Sequence, residues 1–586
     1  MSPVDARALA TWLAAADDDA LIALLRARRI SPDATWADYF DAAEALLDPI
    51  AVAKAAPILS RPLVEAIDHA LASDEPIAAG AELDALVALG FAAPTGEPYA
   101  GVAAVWADLP RSADAAAGST EAEAPRSDEA HDDAPEGDAR LAERAFTALS
   151  SLADVLSLAA PSPLGRTGTG TLGAGDRRRL IEAGAVADAE AADLIIAVGG
   201  DAGLLAAVDR EWRVTAEGTA WLLRGTVERW SAAARRLRDA LPAALRTDAG
   251  GWMPLRDWPR AYPLDPAWPA RAARLAAQWR LWAIVDVSGQ PASWAAPLAA
   301  GGDVDDDALQ EHLPGEVDRI FLQNDLTAIA PGPLHPAIDA RLRRAARRES
   351  RAQASTYRFS AESIGAALAA GEDATSLADF LTSISLTGLP QPLAYELERA
   401  ARRHGRLRVG VDATGRTQVT ASEPGALETL AVDQALRPLG LVADGDRLVS
   451  RSSVDAVFWM LSDARYPVAA VDEHGAVRVL DRARLADPAD TTRAAEPDPR
   501  YGALVERLRT SHDSDDADAA WLGRELEQAV KARAVIVVSV RLPDGTTREF
   551  VLEATGLGGG RLRGRDRASD VERTLPVSSI VSARLA

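Results

Sequence analysis

Residues 111–140 interrupt this chain. Nine acids stand there against three arginines, among alanine, serine, proline and glycine and without one aromatic residue. Such a tract cannot bury enough apolar surface to offset the entropy of ordering it, so it is expected to be a disordered acidic linker between independently folded parts. A proline-, aspartate- and threonine-rich stretch, Ala486–Pro499, marks a second linker over 481–500. With 586 residues, 48% of them hydrophobic, the chain has room for roughly three to five domains with cores of their own.

Composition removes whole classes of chemistry. There is no cysteine, which excludes disulfides, thiolate nucleophiles and Cys-ligated zinc. The seven histidines are too far apart in sequence to form a local metal motif, and neither a metal nor a cofactor is expected. The only lysines are Lys54 and Lys531, and neither follows a glycine-rich loop. A phosphate loop needs that lysine to reach the β- and γ-phosphates, so no ATP-driven motor is expected. Asp128-Glu129-Ala130-His131 spells a DEAH box, but within the acidic tract rather than at the end of a hydrophobic strand where its carboxylates could meet Mg²⁺. No serine elbow with a downstream histidine is visible, and the chain is read as a non-enzyme. It has no run of about twenty uncharged apolar residues and no basic-then-apolar start, so a soluble, cytoplasmic protein without a membrane partner is expected.

Along the chain, residues 1–110 show helical periodicity in five segments with Asp, Ser or Pro near their starts, and read as a helical domain. Residues 141–250 give a helix, an extended glycine-rich stretch, two short helices and a hairpin around Asp209-Arg210, the order of a winged helix. Gly168-Thr-Gly-Thr-Leu-Gly173 matches a dinucleotide fingerprint in letters, but a helix and Pro161-Ser-Pro precede it where a strand is required. Residues 251–315 form a Trp-rich helical segment in which Trp279 and Trp282 are expected to pack a core on one helix, Ala270–Val285. Asp303-Val-Asp-Asp-Asp307 lacks the glycine and twelfth-position glutamate of a calcium loop and is expected to start a helix. Residues 316–480 read as a strand Arg319–Ala330, a helix His335–Arg351, a strand Ser355–Phe359, further helices and a small α/β region. Residues 501–586 read as helix followed by a β-rich module.

The net charge is −24, so duplex DNA repels the chain unless positive charge is gathered locally. Two places gather it. If Arg341–Arg351 is helical, Arg341, Arg344, Arg347, Arg348 and Arg351 share one arc of about 120°. The stripe could track phosphates, or be a solvated face paired to acids. If Arg561–Arg567 is a strand, Arg561, Arg563, Arg565 and Arg567 face one side, for contact with nucleic acid or with another domain. By contrast the second helix of the winged-helix-like module, Asp188–Ala197, carries three acids and no base, unlike a major-groove reader.

The segment Phe321-Leu-Gln-Asn-Asp-Leu-Thr-Ala-Ile-Ala-Pro-Gly-Pro-Leu334 resembles the QxDLTxxxPGPL core of bacterial helicase-associated proteins, whose shared region is similar to the N-terminal, non-motor part of XPB-type DNA helicases. Thr356-Tyr-Arg-Phe-Ser360, Leu389-Pro-Gln-Pro-Leu393 and Ala401-Arg-Arg-His-Gly-Arg-Leu-Arg408 continue the likeness, and Trp258-Pro-Arg-Ala-Tyr-Pro-Leu-Asp-Pro266 matches a further pattern of the family. The resemblance implies a helicase-associated domain over 316–480, adds Arg402 and Arg403 as candidate nucleic-acid contacts, and suggests an XPB-like helicase as partner. The C-terminal module resembles the SH3/Sm-like barrel of WYL domains, without the Trp-Tyr-Leu triplet. The fold expected is therefore multidomain, mainly α with α+β parts: a helical N-terminal domain, a winged-helix module, an α/β helicase-associated core and a small C-terminal β-barrel. The function expected is non-catalytic association with DNA, single-stranded or forked, beside such a helicase in repair or transcription. A WYL-type regulator sensing a ligand or single strands, and a protein-only scaffold, are the alternatives.

Overall fold

The computed structural model of the chain describes residues 3–111, 137–351, 354–423, 425–487, 498–512, 517–542, 545–567 and 569–585. Residues 112–136 of the expected acidic linker, with the DEAH tetrad, lie outside them, as do residues 488–497 of the second linker. The chain divides into two compact units. One gathers the described residues of Met1–Ala130, Arg256–Ala273 and Ala495–Ala586, and the other those of His131–Leu255 and Arg274–Ala494. Among the described residues no helix is long and apolar enough to cross a membrane.

The first unit begins with the helices Pro3–Ala15, Asp18–Ala27, Tyr39–Leu47, Pro49–Ala55, Arg61–Ser73, Ala81–Ala88 and Ala100–Trp106. Asp17, Asp38 and Asp48 accept the otherwise unbonded N–H groups at three of their starts, which is why acids punctuate this alanine- and leucine-rich sequence. The helices bury Leu9, Leu24, Phe40, Leu46, Ile67 and Phe91 in one core, and the same core takes Leu264 and the Leu504, Val505 and Leu508 side chains of the helix Pro499–His512. Tyr501 donates its hydroxyl hydrogen to the Ile30 carbonyl at 2.8 Å. On the next helix, Ala517–Lys531, Arg524 pairs with Asp38 and Asp41 and Glu525 pairs with Arg7. The C-terminal helices thus complete the N-terminal bundle.

Beyond them, five antiparallel strands lie in the order Val571–Pro576, Arg561–Asp566, Thr547–Gly558, Val535–Arg541, Ile580–Leu585. The sheet's inner face, with Ile536, Val538, Leu552 and Leu562, packs on Leu526 and Ala529 of the preceding helix. A closed barrel is not formed: among the described residues the edge strands Val571–Pro576 and Ile580–Leu585 do not pair. The edge strand Val571–Pro576 escapes sequence reading because Val-Glu-Arg-Thr-Leu-Pro has little apolar alternation, and it is mostly exposed, with no residue fully buried.

In the second unit the helix Asp138–Ala159 is followed by the short strand Leu164–Gly165, the helices Ala174–Glu182 and Ala189–Asp201, and the hairpin Leu205–Val208 and Glu211–Val214, which the short strand extends to three strands. The tryptophans are core: Trp230, Trp279, Trp282 and Trp294 are fully buried, and Trp230 and Trp282 exchange indole N–H bonds to each other's carbonyls at 2.8 and 3.2 Å. The helix ends at Leu281 rather than Val285, so Trp282 packs from just beyond it. A four-stranded antiparallel sheet runs Phe321–Leu322, Thr327–Ala330, Ser355–Phe359, Ala346–Arg351, and a five-stranded one runs Val442–Asp444, Arg447–Ser450, Thr417–Ala421, Leu407–Val411, Val468–Ala470, the last pair parallel.

Two expected elements break. The strand Arg319–Ala330 is a hairpin that turns through Gln323–Leu326, and the helix expected to reach Arg351 stops at Ala345, where the chain enters the strand Ala346–Arg351. No glycine or proline marks that stop. Pairing of Ala346 with Phe359 and Arg348 with Tyr357 outweighs a helix propensity that the arginines and alanines share.

One turn recurs throughout. Its first residue donates its N–H to the carbonyl four residues on, and its fourth residue, a glycine at positive φ, donates back to the first: Thr167 with Gly170, Thr247 with Gly250, Asp286 with Gly289, Asp412 with Gly415, and Asp472 with Gly475. An Asp or Thr side chain at the first position also accepts the fifth residue's N–H, as at Thr167, Thr247, Asp286, Asp412 and Asp472. In the Gln323–Thr327 copy the positive-φ position holds Leu326, at 64°, instead of glycine. Close packing follows one of these turns: a Cβ on Gly251 would stand 1.8 Å from the Ala299 carbonyl oxygen. Gly251→Ala is therefore expected to destabilise the protein by about 2 kcal/mol or more in urea unfolding, whereas Gly315→Ala, whose Cβ meets nothing within 4 Å, should leave the transition in place.

Candidate nucleic-acid interface

In the C-terminal sheet the strand Arg561–Asp566 alternates exposed and buried residues, with Leu562, Gly564 and Asp566 inward. Arg561, Arg563 and Arg565 therefore share the outer face, and Arg567 just beyond is exposed. Their surroundings differ. Arg565 lies across from Glu553 and Glu572 and pairs with Asp570 at 2.7 Å, and Arg567 stands 3.8 Å from Glu553. Arg561 lies across from Gly558 and Pro576, and Arg563 from Gly556 and Thr574; neither has an ion pair with a described residue. A Cβ on Gly556 or Gly558 would meet nothing within 4 Å, so these two arginines stand over open backbone. Like charges on alternate residues of one strand face, about 6.7 Å apart along the backbone, repel each other and gain by sharing an anion.

The arginine-dense segment is used differently. Because the helix ends at Ala345, the five-arginine stripe does not exist. Arg341 is held by Glu372 at 3.1 Å and Ser376 and lies over the Phe380 ring, and Arg344 is held by Glu372 at 3.3 Å. Arg347 is exposed on the strand, and Arg351 ends it with a side chain outside the described residues. Arg348 turns inward and shares the Asp154 carboxylate with Arg343. Arg402 and Arg403 are exposed at the end of the helix Gln391–Arg403, Arg402 reaching Glu398 at 3.6 Å. Asp303 and Asp306 are committed to Arg235, and Asp305 caps the helix Asp306–His312. No group of acids and histidines among the described residues is arranged to hold a metal ion.

The residues missed by sequence reading lie around Asp154. Its side chain is only 5% exposed, on the apolar face of the helix Asp138–Ala159, and binds both guanidiniums. Beside it a cavity of about 120 Å³ is lined by Arg229, Arg343, Arg348, Asp339, Ser355 and Tyr357, with Pro333 and Leu334 of the Pro-Gly-Pro-Leu motif and Ser150 of the helix. The Tyr357 hydroxyl donates to Asp339 at 2.6 Å, and burial, reinforced by that carboxylate, holds the phenol well above its ordinary pKa. Among the described residues Arg229 donates only to the Trp221 and Leu222 carbonyls, and burial pushes its guanidinium down to about 10. The available signal was an acid in the middle of an otherwise apolar helix face, which requires a buried cation somewhere else in the chain.

Residues 320–444 match the family described as Helicase conserved C-terminal domain, which covers both the arginine-dense segment and the exposed Arg402 and Arg403. A helicase-related domain of this kind is consistent with association with nucleic acid. None of the curated proteins compared with the chain matches it.

Because Asp154 compensates two largely buried cations, Asp154→Ala is expected to cost about 3–5 kcal/mol in equilibrium unfolding. Arg344→Ala, an exposed partner of Glu372, should cost less than about 1 kcal/mol.

Proposed function

We propose that this protein is a helicase-associated nucleic-acid-binding protein with no motor of its own, acting beside an XPB-like helicase in DNA repair or transcription. The observation that carries the reading is a helicase-family domain in a chain whose two lysines both lie outside any phosphate loop. In this reading the winged-helix-like module of residues 141–250 serves packing or protein contact, given its acidic second helix. The nucleic acid is held chiefly by Arg561 and Arg563, with Arg347 and Arg403 as secondary contacts. Extended single strands suit the Arg561 and Arg563 pair, because the alternate residues of a β-strand present charges at intervals comparable to successive backbone phosphates.

Two measurements test it. Binding to a single-stranded oligonucleotide should weaken as salt rises, and Arg561→Ala with Arg563→Ala should make the log–log slope shallower by about 1.4, at about 0.7 for each phosphate no longer neutralised. An unchanged slope removes the sheet from the interface and favours the protein-only scaffold. Purified protein should also show no saturable ATP hydrolysis, and turnover with saturation kinetics would overturn the motor-free reading.

A further inference from the structure

The cavity beside Asp154 is unlike the exposed arginine surfaces. Three guanidiniums line it, from Arg229, Arg343 and Arg348, against two carboxylates, the lining Asp339, which already accepts the Tyr357 hydroxyl, and Asp154 beside it. The wall also carries the hydroxyls of Ser150 and Ser355, whereas that of Thr226 is donated to Glu316 at 2.7 Å. Arg343 and Arg348 spend part of their donors on Asp154, and Arg343 also stands 3.6 Å from Asp339. Arg229 is the odd member. It is 8% exposed, stacks over Trp221 at 5.3 Å, and has no ion pair among the described residues, only carbonyl partners. Its nearest carboxylates, Asp339 and Glu316, act on it from beyond ion-pair distance, so burial still disfavours its charge, and an anion in the adjoining space relieves that cost. The space is suited to it: about 120 Å³ is well above the roughly 10–15 Å³ that a single water requires, and takes a small tetrahedral ion.

We propose that this cavity is a binding site for a free phosphate-class oxyanion, held by the guanidiniums of Arg229, Arg343 and Arg348 and by the neighbouring hydroxyls. Guanidinium is the side chain whose planar donors match such oxygens two at a time. The site joins the helix Asp138–Ala159 and the helix Thr226–Asp239 to the sheet that carries the Pro-Gly-Pro-Leu motif, so an ion there would add to the bonds that hold these elements together. It is independent of the C-terminal sheet and of the nucleic-acid reading.

The test is calorimetric titration of the full chain with inorganic phosphate at constant ionic strength, with thermal unfolding in parallel. Saturable one-site binding and a rise of Tm with phosphate concentration are expected. Arg229→Gln should abolish the binding, but its burial makes misfolding a possible cause of such a loss. Ser150→Asp supplies the decisive variant, because it places a like charge at the half-buried rim: affinity should fall by about tenfold or more while the ligand-free Tm holds. The proposal is overturned if the native chain shows no saturable binding, or if Ser150→Asp binds phosphate like the native chain.

Discussion

One carboxylate, Asp154, organises the larger unit. It lies on the apolar face of the helix Asp138–Ala159 and is bound by Arg343 from the end of a helix and by Arg348 from the start of a strand. A buried acid of this kind is tolerated only with its cations in place, so the helix, the end of Pro336–Ala345 and the strand Ala346–Arg351 are fixed by one interaction. The family-matched region therefore spends much of its positive charge internally. Arg341 and Arg344 on Glu372 continue the same pattern.

That internal use narrows where a chain of net charge −24 can meet a polyanion. Of the four arginines on or beside the strand Arg561–Asp566 of the C-terminal sheet, two are balanced by Glu553 and Asp570, and only Arg561 and Arg563 stand over glycine backbone without an ion pair among the described residues. A small locally positive surface on an acidic molecule favours short-range capture over long-range steering, and its affinity should depend steeply on salt.

The recurring four-residue turn is the unit from which much of the rest is assembled. Thr or Asp at its first position and glycine at its fourth satisfy the local N–H groups, letting short strand pairs and helices follow one another at close spacing. The copy at Gln323–Thr327 departs from the rule. Leu326 takes the left-handed conformation there while packing against the core of the four-stranded sheet, so burial of an apolar side chain offsets a backbone geometry that glycine would adopt freely.

The sequence by itself determined what is local. Helix starts at Asp17, Asp38 and Asp48, the hairpin strands of 205–214, the burial of the tryptophans and the alternation of Arg561–Asp566 all follow from capping, periodicity and apolar pattern, which act over a few residues. The helicase-associated segment was legible because its motif is compact. Tertiary structure alone decided the end of the helix at Ala345, the open edges of the C-terminal sheet and the burial of Leu504, Val505 and Leu508 in a core built by residues hundreds of positions earlier. It also decided the cavity, since Ser150, Arg229, Arg348 and Tyr357 come from four separate elements. Each of these depends on which distant partner wins a competition for a strand edge, an apolar face or a buried charge, and local pattern carries no record of that competition.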